Sequence, residues 1–220
     1  MSASSGPSAP SAADRLALAD WRRRVSALYV EVRAMAARDP AIALGHWRAV
    51  RETLFRTHPQ SPVPPADRAR FRALHFDHDP SLRFTVDLEA SAAPAIEAVP
   101  AIALPNSGPD TLAFERVGMV RIPFPDGERP LSVFWMAGYS GGLFLPFRDA
   151  TNGIKTYGAG RYLLDTAKGA DLGTDHAGRL ILDFNFAFQP SCAFDPRWAC
   201  PLAPPENRLD LAVRAGERLV

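Results

Sequence analysis

Two hydrophobic periods divide the chain. From Asp14 to Arg38, the residues Leu18, Trp21, Val25, Leu28, Val32 and Met35 recur at alternating steps of three and four. That spacing lays one apolar stripe along a helix and predicts a helix over 14–38, with Asp14 as its N-cap. Pro40 disfavours the α conformation at Asp39 and ends it there. The stripe is too short for a coiled coil, so the helix is expected to dock on the body. Trp47, Val50, Leu54 and Phe55 predict a second helix over 43–56, closed by His58-Pro59. Residues 67–74 read as a short helical turn.

The period then changes to two. Leu82, Phe84, Val86 and Leu88 alternate with Arg83, Thr85 and Asp87, the mark of a half-buried strand. Residues 90–110 read as a loop or irregular edge, because Pro94, Pro100, Pro105 and Pro109 cannot donate to a ladder. Strands are expected over 112–124 and 131–136, joined by the turn Pro125-Asp126-Gly127. Gly138–Gly142 leads to a strand over 143–147. Asn152-Gly153 is the strongest hairpin signal, with its partner strand over 161–164. The segment 179–188 places Leu180, Leu182, Phe184, Phe186 and Phe188 on one face, and Asp183 and Asn185 on the other. Leu209–Leu219 reads as a last strand or short helix. The expected fold is mainly β: an antiparallel sandwich or partly open barrel carrying N-terminal helices.

Composition narrows this reading. At 220 residues, one domain is the default, here 14–220 preceded by a disordered tail, 1–13, of Ser, Ala, Pro and Gly. A net charge of +1 gives no basic stripe, which argues against nucleic acid as a partner. No apolar run is long enough to cross a membrane. The first residues lack the basic start and apolar core of a secretory signal, so a cytoplasmic location is expected. Cys192 and Cys200 are expected to be reduced thiols that serve packing. They lack two further ligands at short spacing, and His75 and His78, which flank Asp77 and could form a metal corner, read as exposed loop histidines, so no metal and no cofactor is expected.

The unusual residues concentrate between Phe144 and Asn207. Asp183 and Asn185 share a strand face, so a buried carboxylate there demands an arginine, and Arg161 or Arg148 is the expected partner. The alternate glycines in Thr156-Tyr157-Gly158-Ala159-Gly160-Arg161-Tyr162 let another group approach the backbone, whether a ligand, a crossing strand or a bulge. The run lacks the Lys-Ser/Thr ending of a phosphate loop.

These words, in order, resemble a known family. Phe147-Arg148-Asp149-Ala150-Thr151, the Thr156–Tyr162 run, Leu182-Asp183-Phe184-Asn185 with Pro190 and Cys192, Cys200-Pro201-Leu202, Pro204-Pro205-Glu206-Asn207 and Ala215-Gly216-Glu217 are similar to the family catalogued as domain of unknown function 1684. Ser61-Pro62-Val63 and Phe71–Phe76 extend the likeness, although Ala73 stands where a glycine is expected. The family has no agreed activity. The resemblance implies a shared constellation of Arg148, Asp149, Thr151, Tyr157, Arg161, Asp183, Asn185, Glu206 and Asn207, taken here as candidate ligand-binding residues.

Three functions follow from these residues. A β-domain with such a cluster suits the binding of a polar small molecule. An enzyme of hydrolase or lyase type would use Asp183 or Glu206 as acid or base, with Arg161 or Arg148 stabilising an anion. A structural or interaction module would use the same residues to lock an irregular C-terminal segment. Whether Arg161 and Asp183 face a cavity or a packed interior separates the third from the first two.

Overall fold

The computed structural model of the chain describes residues 11–90, 102–104, 113–138 and 141–219. Two N-terminal helices, α1 (Ala12–Ala36) and α2 (Pro40–Thr57), precede antiparallel sheets. α1 begins two residues earlier than the apolar stripe predicts. Ser11 is its cap, and Asp14 sits three residues inside, returning a bond to the Ser11 N–H. This reciprocal capping box replaces the expected cap at Asp14. The expected tail therefore loses Ala12 and Ala13 to the helix, and residues 1–10 lie outside the described residues. α2 also begins early, with Pro40 in its first turn and the Asp39 side chain capping Ala41 and Ile42. Residues 67–74 form turns and a strand residue but no helix.

The strands are β1 (Leu74–His75), β2 (Arg83–Val86), β3 (Glu89–Ala90), β4 (Ile102–Ala103), β5 (Ala113–Phe124), β6 (Gly127–Met136), β7 (Leu143–Phe147), β8 (Arg161–Asp165), β9 (Leu180–Asp183) and β10 (Glu217–Arg218). Six of them form one sheet in the order β3-β5-β6-β7-β8, with β4 also on β5. β2 pairs with β9, and β1 with β10. No closed barrel forms among the described residues. The β5–β6 hairpin turns at Gly127, whose φ of +129° is open to glycine. β4 lies in a segment the prolines mark as irregular. Asn152-Gly153 does sit between two antiparallel strands, β7 and β8, but inside a long loop rather than at a two-residue turn. The predicted strand over 179–188 ends at Asp183, where its carboxylate caps a 3-10 turn, Phe184–Phe186. Of 209–219, only Glu217–Arg218 is strand.

Alternation along the six-stranded sheet makes two cores. Val120, Ile122, Val133, Leu145 and Phe147 face one side, where they meet Leu82 and Phe84 of the β2 region, Leu182 of β9, and Leu209, Val213 and Ala215 of the C-terminal segment. Phe114, Phe134, Phe144 and Tyr162 face the other, against Val25, Leu28, Tyr29 and Val32 of α1 and Leu44 and Trp47 of α2. The helices dock on the body as the stripe requires, although Leu18 and Met35 at its ends are each 37% exposed. Trp47 is fully buried among these rings and alone contributes roughly 3 kcal/mol of apolar burial.

The C-terminal segment is held close to the turn after β9. Gly216 has φ +77°, and a Cβ there would overlap the carbonyl oxygens of Ala187 and Phe184. Gly216→Ala is expected to cost about 3 kcal/mol from strain and overlap together. Chemical denaturation of the variant, with an unchanged denaturant slope, would show it; a loss under about 0.5 kcal/mol would contradict the packing described.

Candidate functional site

The nine candidate residues separate into local networks. Arg161 opens β8 and is fully buried. Its Nη2 donates to Asp149 Oδ2 at 2.8 Å and to the Val213 carbonyl at 2.8 Å. Its Nη1 donates to the carbonyls of Ala215 and Glu217. Phe147 packs on the guanidinium at 5.1 Å. Burial pushes the arginine's pKa down, and the Asp149 carboxylate opposes that shift. Asp149 also accepts from the Val213 N–H at 2.9 Å, and from the Thr151 N–H and hydroxyl at 3.0 and 2.6 Å. Thr151 in turn meets the Thr156 hydroxyl at 2.9 Å. The first network thus ties β8 and the loop after β7 to the C-terminal segment.

The second network contains Asp183 and Asn185. Asp183 pairs with Arg83 at 3.1 Å, its register partner across β2–β9. This corrects the expectation of Arg161 or Arg148: Arg161 is committed to Asp149. The other Asp183 oxygen accepts from the backbone and side-chain nitrogens of Asn185 at 2.9 and 2.8 Å. Asn185 exchanges two bonds with the backbone of Asp79, at 2.9 and 2.8 Å. Because a 3-10 turn follows Asp183, the strict face alternation predicted for 179–188 does not hold.

The third network is Asn207. It is fully buried, accepts from the Ser132 N–H at 2.8 Å, and donates to the carbonyls of Ser132 and Pro146 at 2.8 and 2.7 Å. The β6–β7 ladder pairs only Phe134 with Phe144 and Trp135 with Leu143. Pro146 carries no N–H to extend it, and the Asn207 amide fills the gap. The remaining candidates meet these networks through backbone groups or not at all. Arg148 is half-buried, its backbone bonded to Asn207 and Leu209; Glu206 is exposed; the Tyr157 N–H donates to Gln189 Oε1 at 3.3 Å. The close approach read from the alternate glycines is made at Gly160 by the Phe147 carbonyl and Ala203, not by an open site.

A concave feature lies elsewhere. A cavity of about 190 Å³ opens between the two helices and the segment 188–201. Trp21 and Tyr29 of α1, Phe55 of α2, Tyr162, Phe188 and Trp198 supply its rings. Arg22, Arg51 and Lys168 supply cations, and no carboxylate lines it. Arg51 stacks on Phe55, Phe188 and Trp47 at 4.4, 5.0 and 5.4 Å. Its Nε and Nη2 hold Glu217 at 2.5 and 3.1 Å, leaving Nη1. Lys168 holds Asp165 at 2.6 Å. Glu217 and Asp165 are 3% and 1% exposed, so both ion pairs turn their positive ends to the cavity and keep their negative ends behind its wall. The Tyr29 hydroxyl accepts from Trp47 Nε1 at 3.1 Å. Burial raises its pKa, so it is a neutral donor at the floor.

Neither Arg161 nor Asp183 lines this cavity. None of the nine candidate residues lines it, yet two of the residues that do left a signal in the sequence. Arg51 falls on the apolar face of α2, four residues after Trp47 and four before Phe55; Tyr29 falls four after Val25 on the stripe of α1. A polar group inside an apolar stripe points to a buried partner or a site.

The family described as "protein of unknown function (DUF1684)" matches residues 69–218, and the chain belongs to it. An uncharacterized protein of Haloarcula marismortui, solved by NMR in solution, is similar over 84% of this chain and 97% of its own, at 33% identity and a TM-score of 0.59. No curated protein matches the chain. Among the described residues, no helix is long and apolar enough to cross a membrane.

Two tests follow from these networks. Asp149→Ala leaves a buried guanidinium without its carboxylate and is expected to cost about 4 kcal/mol, and Arg161→Met with Asp149→Leu recovers little of it, because that pair also serves the carbonyls of Val213, Ala215 and Glu217 and the N–H groups of Val213 and Thr151. Denaturation of the single and double variants decides it; a single variant within about 1 kcal/mol of the parent would contradict the assignment. Second, burial holds the His75 pKa at about 4, opposed by Glu217 and assisted by Arg48 and Arg51. The unfolded histidine takes its proton near pH 6.5, so the unfolded state binds more protons between about pH 6.5 and 4. Stability should therefore fall as pH drops through that window, and His75→Phe should flatten the slope there. An unchanged slope in the variant would contradict it.

Proposed function

We propose that this DUF1684 protein binds a small organic anion with an apolar or aromatic body in the cavity between its helices and residues 188–201. One observation carries the reading: the lining combines rings with three cations, two of them in ion pairs whose carboxylates sit behind the wall. An anionic group placed there meets oriented positive ends without meeting a negative one. The Tyr29 hydroxyl and Arg51 Nη1 are two donors suited to the two oxygens of a carboxylate. The rings provide the desolvated walls that most ligand sites use. At about 190 Å³, the cavity suits a ligand smaller than a drug-sized molecule.

In this reading the β2–β9 ribbon and the six-stranded sheet form an open sandwich, and the helical side carries the site. The nine residues of the family words serve as its frame instead of its contacts. An acid–base role for Asp183 has little support, since both its oxygens are spent on Arg83 and Asn185. Glu206 is exposed and lies outside the cavity lining.

Benzoate, phenylacetate and hexanoate, each against its neutral amide, test the proposal by thermal shift. A carboxylate at a hundred times its dissociation constant is expected to raise the melting temperature by roughly 5 °C, and its amide by much less. Ala199→Trp, an exposed rim position, should abolish the shift without lowering stability, and Arg22→Gln should weaken binding severalfold. Equal shifts for acid and amide would remove the charge argument. Binding that survives Ala199→Trp would remove the cavity.

A further inference from the structure

The cavity wall contains a second chemical feature, independent of any ligand. Cys192 and Cys200 are each 7% exposed. The Cys192 N–H, in a 3-10 turn over Ser191–Ala193, donates to the Cys200 sulfur at 3.3 Å. Cys192 lies beside both the Cys200 thiol and the Tyr157 hydroxyl and helps raise the pKa of each. With the Cys200 sulfur 3.3 Å from the Cys192 nitrogen, the two side chains are neighbours at the ends of a segment of nine residues. They are equally buried but differently placed. Cys200 lines the cavity and Cys192 does not.

We propose that Cys192 and Cys200 are a built dithiol site, oxidised to an intrachain disulfide by small disulfides that enter through the cavity and react first at Cys200. The Cys200 thiolate attacks one sulfur of the incoming disulfide, forms a mixed disulfide and releases one thiol. The Cys192 thiolate then attacks the Cys200 sulfur, forms the intrachain bond and releases the second thiol. Two protons leave the protein, two electrons reduce the small disulfide to two thiols, and nothing else is consumed. The side-chain contact with Cys192, in which the neutral Cys200 thiol is the donor, and burial push the Cys200 pKa well up against the lowering effect of the Cys192 N–H, so the thiolate is scarce at neutral pH and the exchange is slow there. This makes the pair a slow, stable crosslink that ties the wall segment carrying Trp198 and Ala199, not a fast peroxide sensor.

The test uses the full-length native protein with hydroxyethyl disulfide at pH 8.5, then trypsin without reductant. Arg197 lies between the two cysteines, so cleavage after it separates them unless they are bonded. The expected result is an intact mass lower by two hydrogens, a linked peptide pair that dithiothreitol splits, and a melting temperature higher by about 5 °C. In Cys192→Ser, the reaction should stop at a mixed disulfide on Cys200; in Cys200→Ser, Cys192 should stay unmodified. The proposal fails if native protein keeps both thiols under conditions that oxidise the unfolded chain. It fails equally if the crosslinks are between molecules, or if Cys192 in the Cys200→Ser variant reacts as fast as Cys200 in the Cys192→Ser variant.

Discussion

A guanidinium with no access to water has to find its partners inside the protein, and Arg161 finds them on a segment with almost no ladder of its own. The carbonyls of Val213, Ala215 and Glu217 converge on it, and Asp149 supplies the charge. Residues 209–216 contain no strand or helix, yet their backbone groups are placed by these bonds and by the Asp149 bond to the Val213 N–H. An isolated buried ion pair is often matched in stability by an apolar pair of similar volume, but here an apolar pair would leave these carbonyls and the Val213 N–H without partners. What the apolar pair would lack is direction: the fork of donors fixes where an irregular segment must lie.

That placement reaches the cavity through one residue. The Glu217 carbonyl accepts from Arg161, while its carboxylate accepts from Arg51 and from the Gln189 N–H. Gln189 then accepts from the Tyr157 N–H and donates back to the Glu217 carbonyl. The family words and the cavity are therefore parts of one hydrogen-bonded frame. The first set orients Glu217; Glu217 holds Arg51 against Trp47, Phe55 and Phe188 with its remaining nitrogen available. Residues whose arrangement suggests a site in the sequence work one layer behind the surface that a ligand would touch.

What could be read from the sequence was what depends on local period. The α1 and α2 stripes, the hairpin at Gly127 and the strand at 143–147 follow from neighbours within a few residues. β9 ended early because the Asp183 carboxylate prefers to cap the following turn, a local competition that the alternation of apolar residues hides. β4 was hidden for a similar reason, in a stretch whose prolines dominate the reading. Partner choice was not legible at all. Arg83 and Asp183 are a hundred residues apart and meet only because β2 and β9 pair in that register. Arg161 and Arg148 were the arginines expected for Asp183, and neither is its partner, because the loop after β7 folds back to bring Asp149 to Arg161. The cavity is assembled from α1, α2, β8 and the Pro-rich segment, so no single stretch carries its signature beyond the polar interruptions at Tyr29 and Arg51.

The central claim is that the buried constellation is a clamp on the C-terminal segment. Amide hydrogen exchange of Asp149→Asn, which keeps the shape and removes the charge, measures that clamp directly. The predicted result is a loss of protection concentrated at Thr151, Val213 and Glu217, with the amides of α1 and of the β5–β6 hairpin retaining theirs. Unchanged protection at Val213 and Glu217 would contradict it.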